Sequence, residues 1–270
     1  MTDALAILAV AFYAVAMVYF LIRFFLKKEK TARAAYLFLL LGLATHGLDL
    51  LVIGLRYRHF PATSLSEALT LVSWLTVLFF TWIVRRDSME AVAVILLPVA
   101  IFSILFHEFF GGKIPEPEPI IREEWVYIHI PLMILSVAAL ALTFVLAIIY
   151  IIQERQLKSK QPAFFYYRLP SLEVCEDLAS KSLWAGFFLL TLGIITGMIL
   201  SRSVHGVYFS WDYKEIWSVI TWCLYAILIH GRLLAAWRGR RAAYLAIVGF
   251  VLMLFSFAGI SLLSKGYHAF

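Results

Sequence analysis

Residues 127–152 read YIHIPLMILSVAALALTFVLAIIYII and contain no Asp, Glu, Lys or Arg. A helix rises about 1.5 Å per residue and the hydrocarbon core of a bilayer is about 30 Å thick, so about 20 apolar residues cross it. The rest of the 270-residue chain is similar: 63% of its residues are hydrophobic, 15% are charged, and its mean hydropathy is +0.90. This composition excludes a soluble globular protein.

Apolar runs of helical length recur along the whole chain. They cover residues 4–26, 34–55, 66–84, 89–106, 127–152, 183–201, 216–236 and 242–263. We predict an all-α polytopic membrane protein with eight transmembrane helices, forming a single transmembrane domain over residues 1–270. The connections are too short to hold a sizeable domain outside the membrane.

Basic residues are divided unevenly between the two sets of connections. One side carries fifteen cations, which are Lys27, Lys28, Lys30, Arg33, Arg85, Arg86, Arg155, Lys158, Lys160, Arg168, Lys181, Arg232, Arg238, Arg240 and Arg241. The other side carries seven, which are Arg56, Arg58, Lys113, Arg122, Arg202, Lys214 and Lys265. Because cytoplasmic loops are enriched in Lys and Arg, the first side is predicted to be cytoplasmic and both termini to lie outside. The net charge of +6 reflects these clusters, and we expect no nucleic-acid partner.

Two connections stand out by composition. The longest, residues 153–182, is predicted to be a cytoplasmic loop in which Ser171 caps a short amphipathic helix at the headgroup level. Residues 202–216 are predicted to form an outer loop rich in tryptophan and tyrosine.

Four of the seven histidines fall at two depths in the predicted topology. His46 and His230 lie roughly 18 and 9 Å from the inner ends of their helices, at about 1.5 Å per residue. His129 and His268 lie at the outer ends of the fifth and eighth helices. Because neutral imidazole is a common axial ligand of heme iron, these pairs suggest one heme site in the membrane and one at its outer face.

Each histidine also has an ordinary explanation. A lone histidine in a membrane helix often bonds to another helix, and one at the interface is usually solvated. Gly42 precedes His46 by one turn and leaves space for a flat group, while Asp49 is close enough to accept a proton from the imidazole. His46 and Asp49 could instead satisfy each other between helices. A third interpretation, an ion or proton transporter that uses both residues, has less support, because no other acid lies deep in a predicted span.

The densest signal is the segment Ser210 to Trp222, SWDYKEIWSVITW. Tryptophan and tyrosine collect at the headgroup level of any membrane protein, so an aromatic belt is one interpretation. A belt does not require Asp212, Lys214 and Glu215 within the same few residues. Trp211, Trp217 and Trp222 could instead stack on a planar ligand whose carboxylates meet Lys214.

This segment resembles the tryptophan-rich heme-handling motif of the CcsA/CcmC/CcmF cytochrome c assembly family. Three other segments resemble the family in the same order. They are Thr45 to Leu48 with Arg56, His59 to Pro61, Ser64 and Glu67; His129 to Leu140; and Gly266 to His268. The chain departs from the motif at His205, Phe209 and Tyr213, where the family has Trp, Trp and Pro. These departures also suit the HemX-like branch, which is associated with heme biosynthesis and its regulation.

The resemblance implies a protein that binds heme b and carries or presents it at the outer face for c-type cytochrome biogenesis. By position, His129 and His268 match the outer-face ligands and His230 matches the transmembrane ligand. His46 is the candidate for the ligand opposite His230, and Trp211, Trp217, Trp222, Asp212 and Lys214 are expected to contact the cofactor.

Apocytochrome c or a companion assembly subunit is the expected partner besides membrane lipid, and a bacterial inner (cytoplasmic) membrane the expected location. No catalytic residue is predicted. If the protein belongs to a cytochrome c heme lyase, the reaction is thioether formation with thiols of the substrate protein. The alternative is a HemX-like regulator or scaffold that acts through residues 153–182.

Overall fold

A computed structural model describes residues 2–26, 29–83, 89–111, 124–159 and 167–259. In these ranges the regular structure is entirely helical, and eight helices are long and apolar enough to cross a membrane, which confirms the predicted fold class. They are α1 (Thr2–Leu26), α2 (Ala32–Tyr57), α3 (Leu65–Ile83), α4 (Glu90–Phe110), α5 (Val126–Lys158), α6 (Leu172–His205), α7 (Tyr213–Leu234) and α8 (Arg240–Leu254). A 3₁₀ turn, Glu29–Thr31, precedes α2, and a π-helical turn, Phe255–Gly259, follows α8.

The chain forms two compact units. The first comprises residues 1–114 and 149–175, and the second comprises residues 115–148 and 176–270. In the first unit α1 packs along α2 and α4, and α3 packs on α4. Arg23 of α1 donates from Nε and Nη2 to Glu90 Oε1 of α4, at 2.9 and 2.6 Å.

Buried hydroxyls join α3 to α4 in the first unit. The Thr70 hydroxyl lies 3.1 Å from the Ser103 carbonyl oxygen, and the hydroxyls of Ser73 and Ser103 are 2.6 Å apart. Unsatisfied polar groups are costly at membrane depth, so these pairings explain how the serines and threonines are tolerated there.

In the second unit α5 and α6 run antiparallel. Ser136 donates to the Gly186 carbonyl oxygen at 2.9 Å, and Thr143 Oγ1 lies 2.8 Å from Ser182 Oγ. Gly186 makes this approach possible, because a Cβ there would lie 2.6 Å from Leu140 Cγ. Small residues commonly allow such close contacts between membrane helices.

The connection predicted over residues 153–182 differs in the structure. Helix α5 continues to Lys158, and the predicted short amphipathic helix is instead the beginning of α6, which is continuous from Leu172 to His205. At 33 and 34 residues the two helices are each roughly 50 Å long and exceed the hydrocarbon core. Their charged ends carry pairs spaced by one turn, Lys158 with Glu154 at 2.6 Å and Lys181 with Asp177 at 2.8 Å. Such pairs support a helix beyond the apolar region. The predicted capping residue is correct, since Val174 N donates to Ser171 Oγ at 3.3 Å.

The tryptophan-rich connection is shorter than the predicted 202–216. Helix α6 ends at His205 because Gly206 adopts a left-handed conformation, with φ of +76°. Helix α7 begins at Tyr213, so residues at both ends of the predicted loop belong to helices.

Candidate functional site

His129 lies in the first turn of α5 and faces α6. Its Nδ1 donates to the Gly193 carbonyl oxygen at 2.8 Å. Gly197 provides room for the ring, because a Cβ there would lie 2.8 Å from His129 Cε1 and 3.1 Å from Nδ1. With the proton on Nδ1, a neutral imidazole has its lone pair on Nε2, which is the form that binds metals.

His230 has the same local arrangement near the end of α7. Its Nδ1 donates to the Ala226 carbonyl oxygen, one turn earlier, at 2.8 Å, and the side chain is exposed at the surface of the second unit. This hydrogen bond again leaves the lone pair on Nε2 of a neutral ring. His230 follows Tyr213 by 17 positions, which is roughly 26 Å along the helix at about 1.5 Å per residue.

Trp211 lies at the turn between α6 and α7 and is the most exposed residue of the predicted stacking set. It is 75% exposed, and Phe209 packs edge-on against it with ring centroids 4.8 Å apart. Its backbone is left-handed, with φ of +60°, a conformation that costs an L-residue about 1–2 kcal/mol. Some specific contact must therefore hold Trp211 in place.

The other two tryptophans of the set pack within the second unit. Trp217 meets Phe255 edge-on with centroids 4.9 Å apart. Trp222 stacks on Phe187 at 5.7 Å, and its Nε1 donates to Thr191 Oγ1 at 2.9 Å. Both tryptophans are partly exposed, and their predicted role toward a ligand stays a prediction.

The two acidic residues of the segment are engaged with backbone. Asp212 Oδ1 accepts from Glu215 N at 2.7 Å at the start of α7. Glu215 Oε2 accepts from Ser210 N at 2.7 Å and from Trp211 N at 3.0 Å. The sequence predicts that Asp212 contacts the cofactor, and that role stays a prediction. The pattern of a capping residue followed three positions later by Glu was nonetheless readable from the sequence.

His46 is fully buried in the first unit. Its Nδ1 lies 3.4 Å from the Tyr13 hydroxyl, and the two rings meet edge-on at 5.8 Å. The space beside Gly42 that we expected a flat group to use is filled by the Tyr13 ring, which a Cβ at Gly42 would overlap. The proposed role of His46 as a heme ligand stays a prediction.

A second capping arrangement begins α3. Glu67 N donates to Ser64 Oγ at 3.2 Å, and Glu67 Oε2 accepts from Thr63 N and Oγ1 at 2.9 and 2.8 Å. Glu67 Oε1 lies 3.5 Å from His59 Nε2, while His59 Nδ1 donates to the Phe60 carbonyl oxygen at 2.9 Å. The side chains of His59 and Glu67 are 3% and 0% exposed. These residues are recognisable from the sequence only through the family resemblance, which does not predict that they pair.

Two predicted features lie beyond what the structure tests. His268 falls outside the described residues, so its pairing with His129 stays a prediction. Lys214, in the first turn of α7, is partly exposed, and its proposed role toward a carboxylate also stays a prediction.

The helices and this site define a polytopic helical membrane protein with two histidines whose Nδ1 atoms bond to backbone carbonyls, and with an exposed tryptophan between two helices. The chain belongs to the cytochrome c assembly protein family, whose model matches residues 62–268. It is 29% identical over 242 residues to the cytochrome c biogenesis protein CcsA of Guillardia theta, covering 82% of this chain and 80% of that one. It is 30% identical over 237 residues to CcsA of Synechococcus sp. (strain CC9902), covering 78% of each chain.

The fold is also similar to a solved structure. The cytochrome c heme lyase CcmF superposes with a TM-score of 0.66 at 17% identity over 96% of this chain. The chain spans about half the length of CcmF, 48% of it, so this similarity concerns the fold alone.

Proposed function

We propose that this protein binds heme b and presents it at the outer face of a bacterial inner membrane for c-type cytochrome biogenesis. The observation that carries the proposal is the imidazole geometry of His129 and His230. In both residues a backbone carbonyl holds the Nδ1 proton, so Nε2 of the neutral ring is the atom able to bind iron.

The two histidines suit two separate heme positions. His129 lies in the first turn of α5, beside the second half of α6, and His230 lies near the end of α7. The distribution of basic residues supports assigning the His129 end to the outside and the His230 end to the inside. His268 is the proposed second ligand of the outer heme, by the family resemblance. His46 stays the predicted ligand opposite His230, and a companion subunit is the alternative source of that ligand.

Residues of the chain have separate tasks in this scheme. His129 and His230 hold heme, which is the cargo, and the aromatic rings of Trp211, Trp217 and Trp222 shield its faces from water. The thiols for attachment belong to the apocytochrome, which is the proposed partner. The HemX-like alternative stays a prediction.

The proposal is tested by heme content. Protein purified from heme-replete cells should show the reduced spectrum of a b-type heme. The variants His129→Ala and His230→Ala should each lose the absorbance of one heme and retain that of the other. Wild-type protein without b-type heme, even after incubation with hemin, would overturn the proposal.

Gly197→Ala should weaken the outer heme site while every proposed ligand remains. The added methyl group pushes the His129 ring away from the Gly193 carbonyl oxygen, and loss of such an orienting hydrogen bond lowers metal affinity about 10- to 100-fold. Hemin titration of the His230→Ala background measures the outer site by itself.

Gly186→Ala is the matched control for Gly197→Ala. It also adds a methyl group where α6 faces α5, but against Leu140 and not against a histidine. We expect its hemin affinity to stay close to that of the parent. Equal losses in the two variants would show that general helix packing, and not the His129 ring, governs heme affinity.

A further inference from the structure

We propose that Asp212 and Glu215 are positioning residues that present the Trp211 indole to the outer heme, and that neither carboxylate contacts the heme. This inference rests on the proposed function, and it assigns a task to two acidic residues whose charge would repel an anionic cargo.

Asp212 has the geometry of a helix cap. Its backbone is extended, with φ of −71° and ψ of 162°, and its Oδ1 accepts from the backbone N–H of Glu215. The first N–H groups of a helix have no partner within the helix, and an aspartate in this position supplies one. One oxygen of Asp212 is therefore already used within the chain.

Glu215 reaches back over the cap. A single oxygen, Oε2, accepts from the backbone N–H groups of both Ser210 and Trp211. In an ordinary capping box the glutamate bonds only to the capping residue itself. Here it holds the two residues before the cap, and one of these is the exposed tryptophan.

The conformation of Trp211 requires stabilising hydrogen bonds because its backbone is left-handed. A side chain larger than glycine disfavours φ near +60°, and an exposed turn would relax from this conformation without restraint. Trp211 N donates to Glu215 Oε2 and Glu215 N donates to Asp212 Oδ1, so the two hydrogen bonds restrain the chain on both sides of the tryptophan. The indole remains 75% exposed as a result.

The electrostatics favour a positioning task over direct contact. The carboxylates of heme are negative, so Asp212 and Glu215 would repel them at short range. Both acids instead lie at the N-terminus of α7, where the helix dipole stabilises negative charge. The cations in this region, Lys214 and Arg202, are the groups suited to a carboxylate of the cargo.

The test distinguishes the effect of the hydrogen-bond acceptors of Asp212 and Glu215 from the effect of their charge. Asp212→Ser and Asp212→Asn keep a capping oxygen without the charge, and Glu215→Gln keeps an acceptor oxygen. Asp212→Ala and Glu215→Ala remove both properties. We expect the heme affinity of the outer site to fall about tenfold or more in the alanine variants, as it does when contacts that support a metal ligand are removed. The affinity of the conservative variants should stay within about threefold of the wild type.

Amide hydrogen exchange in heme-free protein gives a second readout. Removal of an N-cap corresponds to about 2- to 30-fold faster opening, so exchange of residues 210–216 should accelerate in Asp212→Ala and not in Asp212→Ser. Trp211→Gly should lose heme with little change in exchange, because glycine accepts the left-handed backbone but lacks the indole. Ser171→Ala, which removes the cap of α6, is the matched control and should leave outer heme unchanged.

The outcomes distinguish this inference from the proposed function. If Asp212→Ser and Asp212→Asn lose as much heme as Asp212→Ala, the charge is what matters and the positioning inference is wrong, while heme binding stands. If Asp212→Ala accelerates exchange but keeps its heme, the cap does not serve the cargo. Wild-type protein that binds no heme would overturn both proposals, and the exchange data would then assign the cap a purely structural role.

Discussion

Replacing His129 with glycine is expected to remove heme from the outer site, and imidazole added to the buffer to restore it. Loss of an orienting hydrogen bond around a metal ligand costs about 10- to 100-fold in affinity, so loss of the ligand itself should cost at least about 100-fold. The His129 ring occupies a defined space against Gly197 and bonds to the Gly193 carbonyl oxygen. Free imidazole can occupy the same space in the variant and make the same hydrogen bond.

The measurement is hemin titration of His129→Gly in the His230→Ala background, with and without imidazole. His107→Gly is the matched control, because His107 also lies in a terminal turn of a membrane helix, and its Nδ1 bonds to Ser66 Oγ at 3.1 Å. We expect the control to bind heme normally. If imidazole fails to restore binding while the variant remains folded, His129 acts through the packing of α5 and α6 and not as a ligand.

Glu67→Ala is expected to destabilise the first unit by about 1–3 kcal/mol, the usual cost of leaving buried hydrogen-bonding groups without their partner. The substitution leaves Thr63 N–H, the Thr63 hydroxyl and His59 Nε2 without the carboxylate, in a place where the Glu67 side chain is 0% exposed. Glu67→Gln should cost less, since its amide oxygen can still accept from Thr63. Unfolding in a series of detergent mixtures, monitored by proteolysis of the unit that carries each substitution, measures the difference in stability between variant and wild type.

Asp177→Ala provides the comparison for Glu67→Ala. Asp177 pairs with Lys181 one turn away at 2.8 Å, and both side chains are exposed, at 42% and 66%. Surface pairs of this kind contribute about 0.3–0.5 kcal/mol. A loss in Glu67→Ala no larger than in Asp177→Ala would show that the buried network around Glu67 contributes little to stability.

The number and order of the helices were predictable because the preference of an apolar run for lipid is a property of the run itself. The family was predictable for a similar reason, since its motifs lie within short segments such as residues 210–217. The ends of the helices were harder to predict from the sequence. Helices α5 and α6 extend beyond the apolar region on charged residues, and hydropathy carries no information about where such an extension stops.

The candidate ligand residues also show a difference between what the sequence predicts and what only the structure shows. Four histidines were recognisable as candidate ligands, but the sequence did not show which groups their side chains contact. His46 contacts Tyr13, which lies 33 positions earlier, whereas His230 bonds to a carbonyl of its own helix. A contact such as that of His46 joins distant segments, so only the tertiary structure shows it.

By itself, then, the sequence determined that this is a helical membrane protein of the cytochrome c assembly family, because hydrophobicity and motif spacing are local properties. The tertiary structure decided which polar residues are used for packing. Tyr13 takes the space beside Gly42, Gly197 accommodates the His129 ring, and Glu215 holds the backbone of Trp211. Each of these outcomes depends on which atoms meet across helices or turns, where excluded volume and hydrogen-bond geometry allow only one occupant.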